Sequence, residues 1–151
     1  MRRHWLGFSG FALLALTAVD AAAQTPAAQT PPANNITVTV NYTGKGVVDA
    51  NHAITVFLFA SPDLHAQSSP ITGQTLVKNG GSVTFTNVTT TPVYIVAVYS
   101  EAGGYVGRGG PPPAGTPIAH YRTAPKSPPA AVKPGPKVAV KMTFNDSNRW
   151  K

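Results

Sequence analysis

Cysteine is absent from the 151 residues, and acidic residues are scarce, with 5 Asp and Glu against 12 Lys and Arg. Without cysteine the chain can form no disulfide, no thiolate metal site and no lipid attachment through an N-terminal thiol. With so few carboxylates, the paired acids that glycoside hydrolysis uses are not expected. A domain of this composition must depend on its apolar core, which about 110 residues can supply.

The chain also has no apolar run of the ~20 residues that a membrane-spanning helix needs. Its N-terminal run, Leu6–Val19, is shorter, follows the basic residues Arg2 and Arg3, and precedes three alanines at 21–23. This order is typical of a secretory signal peptide with an A-x-A cleavage site. We expect residues 1–23 to be removed and the product to be secreted or periplasmic, with no stable membrane span. An uncleaved membrane anchor is the alternative.

Charge is distributed unevenly along the remaining chain. Residues 34–103 contain two basic and three acidic side chains, whereas residues from Gly104 onward contain eight basic side chains and one acid. Such an asymmetry predicts a basic face that contacts an envelope protein, a polysaccharide or another polyanion, and nothing in it indicates specific nucleic-acid recognition. The alternative is a solvated edge that keeps the protein soluble, because the positive residues are spaced apart.

Composition divides the chain into four segments. After the signal peptide, residues 24–34 are rich in Pro, Ala and Gln and predict a disordered linker. Residues 35–146 carry the apolar patterns of a single folded domain, and residues 147–151 are a short basic tail. The domain is large enough for one core and not for two.

The patterns inside the domain are those of β-strands. Ile36–Tyr42 alternates apolar and polar residues, as does Lys137–Phe144, where Lys141 is predicted to face outward. Ala53–Phe59 and Pro92–Tyr99 are apolar on both faces, which is typical of interior strands. We expect the two strands that are apolar on both faces to pair at the centre of the sheet. The first strand of the chain, Ile36–Tyr42, and the last, Lys137–Phe144, should lie nearer the edges.

Weaker strands are predicted at Gln74–Val77 and at Ser82–Thr86. Between them, residues 78–81 read Lys-Asn-Gly-Gly, a hairpin signal because Asn-Gly suits a type I′ turn. No window has the period of an amphipathic helix. The sequence therefore predicts an all-β fold, a single Ig-like or prealbumin-like β-sandwich of six to seven strands.

Two neighbouring stretches carry a family resemblance. Residues 83–88 read Val-Thr-Phe-Thr-Asn-Val, and after a short gap residues 92–99 read Pro-Val-Tyr-Ile-Val-Ala-Val-Tyr. Over about residues 80–121 the chain resembles transthyretin-like secreted domains, including the carboxypeptidase regulatory-like group, and small exported bacterial β-domains. The resemblance implies a non-catalytic module for binding or spacing. Those exported domains often have acidic residues after the strand, where this chain retains only Glu101.

Catalytic and metal-binding constellations are not expected. His52, His65 and His120 are far apart and form no ligand spacing, so no metal and no cofactor is predicted. A hydrolase would need a serine with a histidine base and an acid, and the only arrangement to consider is Ser100, Glu101 and His120. We predict that the protein is not an enzyme.

The loop from Glu101 to Arg122 is the best candidate for a binding site, because loops of this length in compact domains are usually functional or disordered. Its glycines make the first half pliable, and three consecutive prolines at 111–113 stiffen its middle. A structural crossover is the alternative. The side chains that we predict to contact a partner are Tyr105, Arg108, His120, Tyr121 and Arg122.

The functional prediction is an exported, non-catalytic β-sandwich that binds or spaces something at the cell envelope. The alternative is a carbohydrate-binding module in which Tyr105 and Tyr121 form a platform for sugar rings, and a small hydrolase is more distant. A coplanar pair of exposed tyrosines would favour the carbohydrate-binding module. A His, Ser and acid within hydrogen-bond reach would favour the hydrolase.

Overall fold

The computed structural model describes residues 33–64, 68–108 and 110–151, which contain eight strands in two packed sheets. The predicted signal peptide, most of the predicted linker and His65 lie outside the described residues. The strands are β1 Ile36–Tyr42, β2 Ile54–Phe59, β3 Thr72–Leu76, β4 Ser82–Phe85, β5 Val93–Tyr99, β6 Ile118–His120, β7 Ala131–Val132 and β8 Val138–Phe144. The predicted all-β sandwich is confirmed. The strands beyond the predicted six to seven are very short, and β7 has only 2 residues.

The smaller sheet has the order β4-β1-β8. Strand β1 pairs antiparallel with β4 and parallel with β8, so the prediction that the first strand lies near an edge is wrong. Its alternating pattern explains the central position, because Ile36, Val38 and Val40 are fully buried on one face. On the other face the hydroxyl of Thr39 bonds that of Ser82 at 2.7 Å. Strand β8 forms an edge, and Lys141 on it is exposed, as predicted.

The larger sheet has the order β3-β2-β5-β6, with β7 pairing β5 beyond the end of β6. The predicted central pair is confirmed, since β2 and β5 are antiparallel neighbours over six positions from Ile54–Tyr99 to Phe59–Tyr94. Both strands are buried on both faces. Ile95 and Ala97 face the other sheet, whereas Val96 and Val98 belong to a separate apolar cluster on the outer face.

The predicted hairpin at residues 78–81 is wrong, because β3 and β4 belong to different sheets. The turn itself forms, with Gly81 N–H donating to the Lys78 carbonyl at 3.2 Å. Only Gly80 of the Asn-Gly pair has positive φ, at 73°, so the turn is not type I′. The Asn79 amide instead bonds both backbone groups of Tyr42, at 2.7 Å each. The turn therefore carries the chain from one sheet to the other.

One end of the core is closed by aromatic rings. Tyr42 and Tyr99 stack with ring centroids 4.2 Å apart, and Phe144 packs beside Tyr42 at 5.1 Å. The Tyr42 hydroxyl donates to the Asp146 carboxylate, and this bond lowers the pKa of Asp146. Burial, then the same bond, raises the pKa of Tyr42. The Tyr99 hydroxyl donates to the Val47 carbonyl at 3.0 Å, so both buried phenols have acceptors.

The core between the sheets is continuous, and it includes most of the large buried side chains. The outer face of the five-stranded sheet carries a second cluster, Phe57, Val96, Val98 and Ile118. The described residues form no helix, so within that part of the chain only loops and the C-terminal residues can cover this second cluster. No helix in that part of the chain has the length and hydrophobicity needed to cross a membrane.

Candidate functional site

The outer cluster forms the floor of a cleft with a volume of about 270 Å³. Its floor is formed by β2, β5 and β6. Its sides and roof come from the loop after β2, from the loop between β5 and β6, and from the C-terminal Trp150. The lining side chains are Phe57, Phe59, Leu64, Ser68, Ser69, Pro70, Val96, Val98, Tyr105, Pro111, Pro112, Ile118 and Trp150, with Gly107 and Gly110. None of them carries a charge. The cleft is therefore suited to an apolar group.

The roof is held where it leaves β5. Tyr105 N–H donates to the buried Ser100 hydroxyl at 2.9 Å, and Gly104 N–H donates to the Asn51 carbonyl at 3.0 Å. The Tyr105 ring then lies against Phe57, with centroids 6.4 Å apart. These contacts fix the start of the loop against the sheet.

Gly107 is required where the roof meets the floor. Its φ is +77°, and a Cβ at this position would lie 2.3 Å from the Phe57 ring. A side chain here would therefore be strained in its backbone and would displace an aromatic ring. The glycine lets the loop backbone lie directly on the outer face of the sheet.

The C-terminal residues form one side of the cleft. Ile118 N–H donates to the Asn148 carbonyl at 3.0 Å, and Trp150 N–H donates to the Thr116 carbonyl at 2.9 Å. Arg149 is ion-paired with Glu101 and donates to the Gly115 carbonyl at 2.6 Å. Residues that the sequence assigned to a tail are thus paired with the segment leading into β6, and this pairing places Trp150 on the cleft.

A second recess, of about 470 Å³, adjoins the cleft. It shares Leu64, Ile118 and Trp150 with the cleft. Its other lining residues are Pro62, Asp63, His120, Pro129, Asn148, Arg149 and Lys151. The second recess therefore contains charged side chains, whereas the cleft contains none.

The structure separates the five predicted contact residues. Tyr105 lies in the roof of the cleft and His120 lines the second recess. Arg108 and Arg122 are exposed on loops. Tyr121 packs against the core between the sheets, on the opposite face of the five-stranded sheet from Tyr105. The structure thus brings Tyr105 and His120 to neighbouring recesses and places Tyr121 away from both.

The arrangements that would favour the alternative functions are not formed. Tyr105 and Tyr121 are on opposite faces and make no coplanar pair. His120 is paired with Val96 in the sheet, and Ser100 lies four residues further along, about 13 Å away at ~3.3 Å per residue. Glu101 is bound to Arg149. Among the described residues there is also no group of three or more His, Asp or Glu side chains that could hold a metal ion.

The environment of His120 predicts a pH dependence of stability. Burial, and then the positive charge of Arg122, lower the pKa of His120 from its ordinary 6.5. As the pH falls through 6.5, the unfolded chain therefore binds protons before the folded one. The free energy of unfolding should therefore decrease as the pH is lowered from about 7.5 to about 5. His120→Gln should make this decrease smaller. Urea denaturation of both proteins across this range measures it.

The carboxylates provide an internal control for that experiment. Hydrogen bonds from the His52 backbone and from the Tyr42 hydroxyl lower the pKa values of Asp49 and Asp146, respectively, from 3.8. Their stabilisation is present above pH 3.8 and is lost only below it, outside the window of His120. An equal slope in the parent and in His120→Gln between about pH 7.5 and about pH 5 would contradict the assignment.

The sequence did not predict that apolar strand residues form the floor of the cleft or that Trp150 lines it. Phe57, Val96 and Val98 were recognised as buried, but burial on both faces was attributed to an interior strand. One signal could have located the cleft. A sandwich covers only one face of each sheet, so in a chain with no helical pattern the second apolar face has to be covered by loops.

No protein-family model, no curated protein and no solved structure matches this chain.

Proposed function

We propose that the protein is an exported, non-catalytic β-sandwich module that acts at the cell envelope and binds its ligand in the cleft. The observation that carries the proposal is a sheet face with four buried apolar side chains beneath a loop roof that leaves a cavity of about 270 Å³. Ligand pockets are typically ~300–1,000 Å³, concave and mostly apolar. The cleft is slightly smaller than this range, so it suits a small ligand of up to about three rings or a short alkyl chain.

Two features support a binding module over an enzyme. The serine and histidine that a hydrolase would use are separated on the sheet, and Ser100 accepts a hydrogen bond from the roof. The long loop has a part in forming the cleft, as expected of a long loop with a function. The transthyretin-like, carboxypeptidase regulatory-like resemblance is part of the proposal, and the two-sheet sandwich agrees with it.

The proposal is tested with Trp150 as a reporter, because in the chain from Gln24 onward it is the only tryptophan. The probe is N-phenyl-1-naphthylamine, a neutral aromatic molecule that fluoresces in apolar surroundings. We expect it to bind and to quench Trp150 emission by energy transfer. Val98→Phe, which adds volume inside the cleft, should weaken binding at least about tenfold. Fluorescence titration measures both.

Val47→Phe is the matched control, since Val47 is 72% exposed and does not line the cleft. Overpacking can destabilise a core by ~1–3 kcal/mol, so thermal melts accompany the titrations. Tyr105→Ala removes part of the roof without adding volume to the floor, and it should also weaken binding. Unchanged affinity in both cleft variants would overturn the proposal, as would absence of binding to the parent.

A further inference from the structure

The chain between Glu101 and Asp146 contains no acidic residue. Four basic side chains lie close together in this stretch: Arg122, Lys126, Lys133 and Lys137. All four are exposed, and none forms an ion pair with another described residue. The segment therefore presents positive charges that no described carboxylate neutralises by direct pairing.

The strand register places these charges at one end of the sandwich. Tyr42 at the end of β1 stacks on Tyr99 at the end of β5, so both strands begin at the opposite end. The basic segment is attached to those beginnings, because β7 pairs with the first residues of β5 and Gly135 bridges Asn35 just before β1. Lys137 directly precedes β8, which runs parallel to β1. We call the four basic side chains the basic end.

Most of the carboxylates lie at the other end, beside the stacked tyrosines. Asp146 accepts a hydrogen bond from the Tyr42 hydroxyl. Glu101 follows β5 and is ion-paired with Arg149. Asp49 is in the loop before β2, whose first residue pairs with the last residue of β5. The fold thus separates these acids from the basic end by the length of the strands.

Asp63 is the one acidic residue after Gln24 that lies outside that group. It lines the second recess together with His120, two residues before Arg122 in the chain. Lys151 lines the same recess, and its ammonium group and terminal carboxylate cancel. Asp63 can therefore offset no more than one charge of the basic end, and its three lysines stay uncompensated.

The backbone of the basic end is stiff. Residues 122–137 include five prolines, which fix φ and reduce the freedom that is lost on binding. Lys126 is the third residue of a turn in which Ser127 N–H donates to the Ala124 carbonyl at 3.2 Å. Its φ is +66°, in the region that favours glycine. Backbone strain of this kind is concentrated at functional sites, and here the strained residue carries a charge.

We propose that the basic end is a second binding surface and that it binds an anionic polysaccharide, a chain that repeats carboxylate, sulfate or phosphate groups. Four separated cations match repeated charges along a polymer better than they match one small anion. The inference does not rest on the cleft, which lies on the outer face of the five-stranded sheet.

Two other polyanions fit the basic end less well. A membrane surface is bound most strongly where apolar side chains accompany the basic ones. Residues 122–137 contain none of the exposed large hydrophobic side chains found among the described residues, which are Val47, Ile71, Val77 and Val106. Single-stranded nucleic acid is bound through aromatic rings on which bases stack, and residues 122–137 contain no aromatic residue.

The test measures binding of the protein to two immobilised polysaccharides, heparin and polygalacturonate, by biolayer interferometry over a series of salt concentrations. Both should bind at low salt, and both affinities should fall as salt screens the exposed charges. Replacing all four side chains of the basic end with glutamine should weaken binding at least about tenfold, since each exposed charge contact contributes a factor of about two to five. Thermal melts should be unchanged.

The matched control removes one arginine and three lysines elsewhere. Its four side chains are also exposed: Lys45, Lys78, Arg108 and Lys141. Their replacement with glutamine should weaken binding markedly less. If both fourfold variants lose affinity equally, binding follows net charge alone and the inference is overturned. N-phenyl-1-naphthylamine should bind the basic-end variant as it binds the parent, so the cleft and the basic end succeed or fail separately.

Lys126→Gly separates charge from folding. Glycine adopts a φ of +66° freely, so thermal stability should be kept or increased, while affinity for both polysaccharides should fall about two- to fivefold. Lys126→Arg should bind like the parent. Parent-like binding by Lys126→Gly would contradict the inference at this residue. Tighter binding to phosphatidylglycerol vesicles or to single-stranded DNA than to either polysaccharide would overturn the choice of partner.

Discussion

Replacing Val96 with aspartate is expected to lower the free energy of unfolding by several kcal/mol. Val96 is 1% exposed in the middle of β5 and lies in the outer apolar cluster. An aspartate here would place a carboxylate among Phe57, Val98 and Ile118, and a buried charge without a partner is strongly unfavourable. The loss is a large share of the ~5–15 kcal/mol that stabilises a typical domain. Urea denaturation measures it.

Ile95→Asp should be more damaging than Val96→Asp. Ile95 is also 1% exposed, but it faces the closed core between the sheets, whereas Val96 lines the cleft, where water can reach an introduced carboxylate. Thr143→Asp is the control, because Thr143 is exposed on β8 and surface substitutions usually change stability by less than ~0.5 kcal/mol. If Val96→Asp and Thr143→Asp denature at the same urea concentration, the assignment of Val96 to a buried outer face of the sheet is wrong.

Tyr99→Ala is expected to destabilise the protein by about 3–5 kcal/mol, the range for removing a large buried aromatic side chain. Tyr99 is 2% exposed and stacks on Tyr42 at the end of the core. Gly46 lies against its hydroxyl, since a Cβ at Gly46 would be 2.0 Å from that oxygen. Truncation would therefore leave a cavity beneath a loop that already packs closely on the ring. Chemical denaturation of the purified variant measures the loss.

Tyr99→Phe separates the ring from its hydroxyl. It keeps the stacking on Tyr42 and removes only the bond to the Val47 carbonyl, so the expected loss is about 0.5–1.5 kcal/mol. Tyr94→Ala provides a second comparison, because Tyr94 is in the same strand but only half-buried. It should lower the free energy of unfolding less than Tyr99→Ala does. If Tyr94→Ala and Tyr99→Ala lowered the free energy of unfolding equally, the stabilising role of the aromatic rings at this end of the core would be contradicted.

The strands were predictable where their signal is local. The alternation in β1 and β8 and the apolar runs in β2 and β5 follow from the period of a strand, and the structure has all four. Sheet membership was not predictable in the same way. Lys-Asn-Gly-Gly forms a turn, but whether that turn joins paired strands depends on the contact between Asn79 and Tyr42, which are 37 residues apart.

The sequence predicted where the candidate site lies better than it predicted which residues form it. The loop after β5 was selected for its length, and the structure uses part of it as the roof of the cleft. The predicted contacts favoured polar and aromatic loop residues such as Arg108 and Tyr121, whereas apolar strand residues form the floor. Trp150 was assigned to a tail because its pairing with Thr116 depends on a contact between distant parts of the chain.

The parallel pairing of β1 and β8 has a mechanical consequence. The folded chain enters β1 at Ile36 and leaves β8 at Phe144, and the two strands are aligned over all seven positions between those points. Tension applied at these two residues would therefore act along the strands and load the rungs of the ladder together in shear. In an antiparallel terminal pair the same tension would open the rungs one after another. The β1–β8 ladder would thus resist a pull applied at Ile36 and Phe144 as one unit.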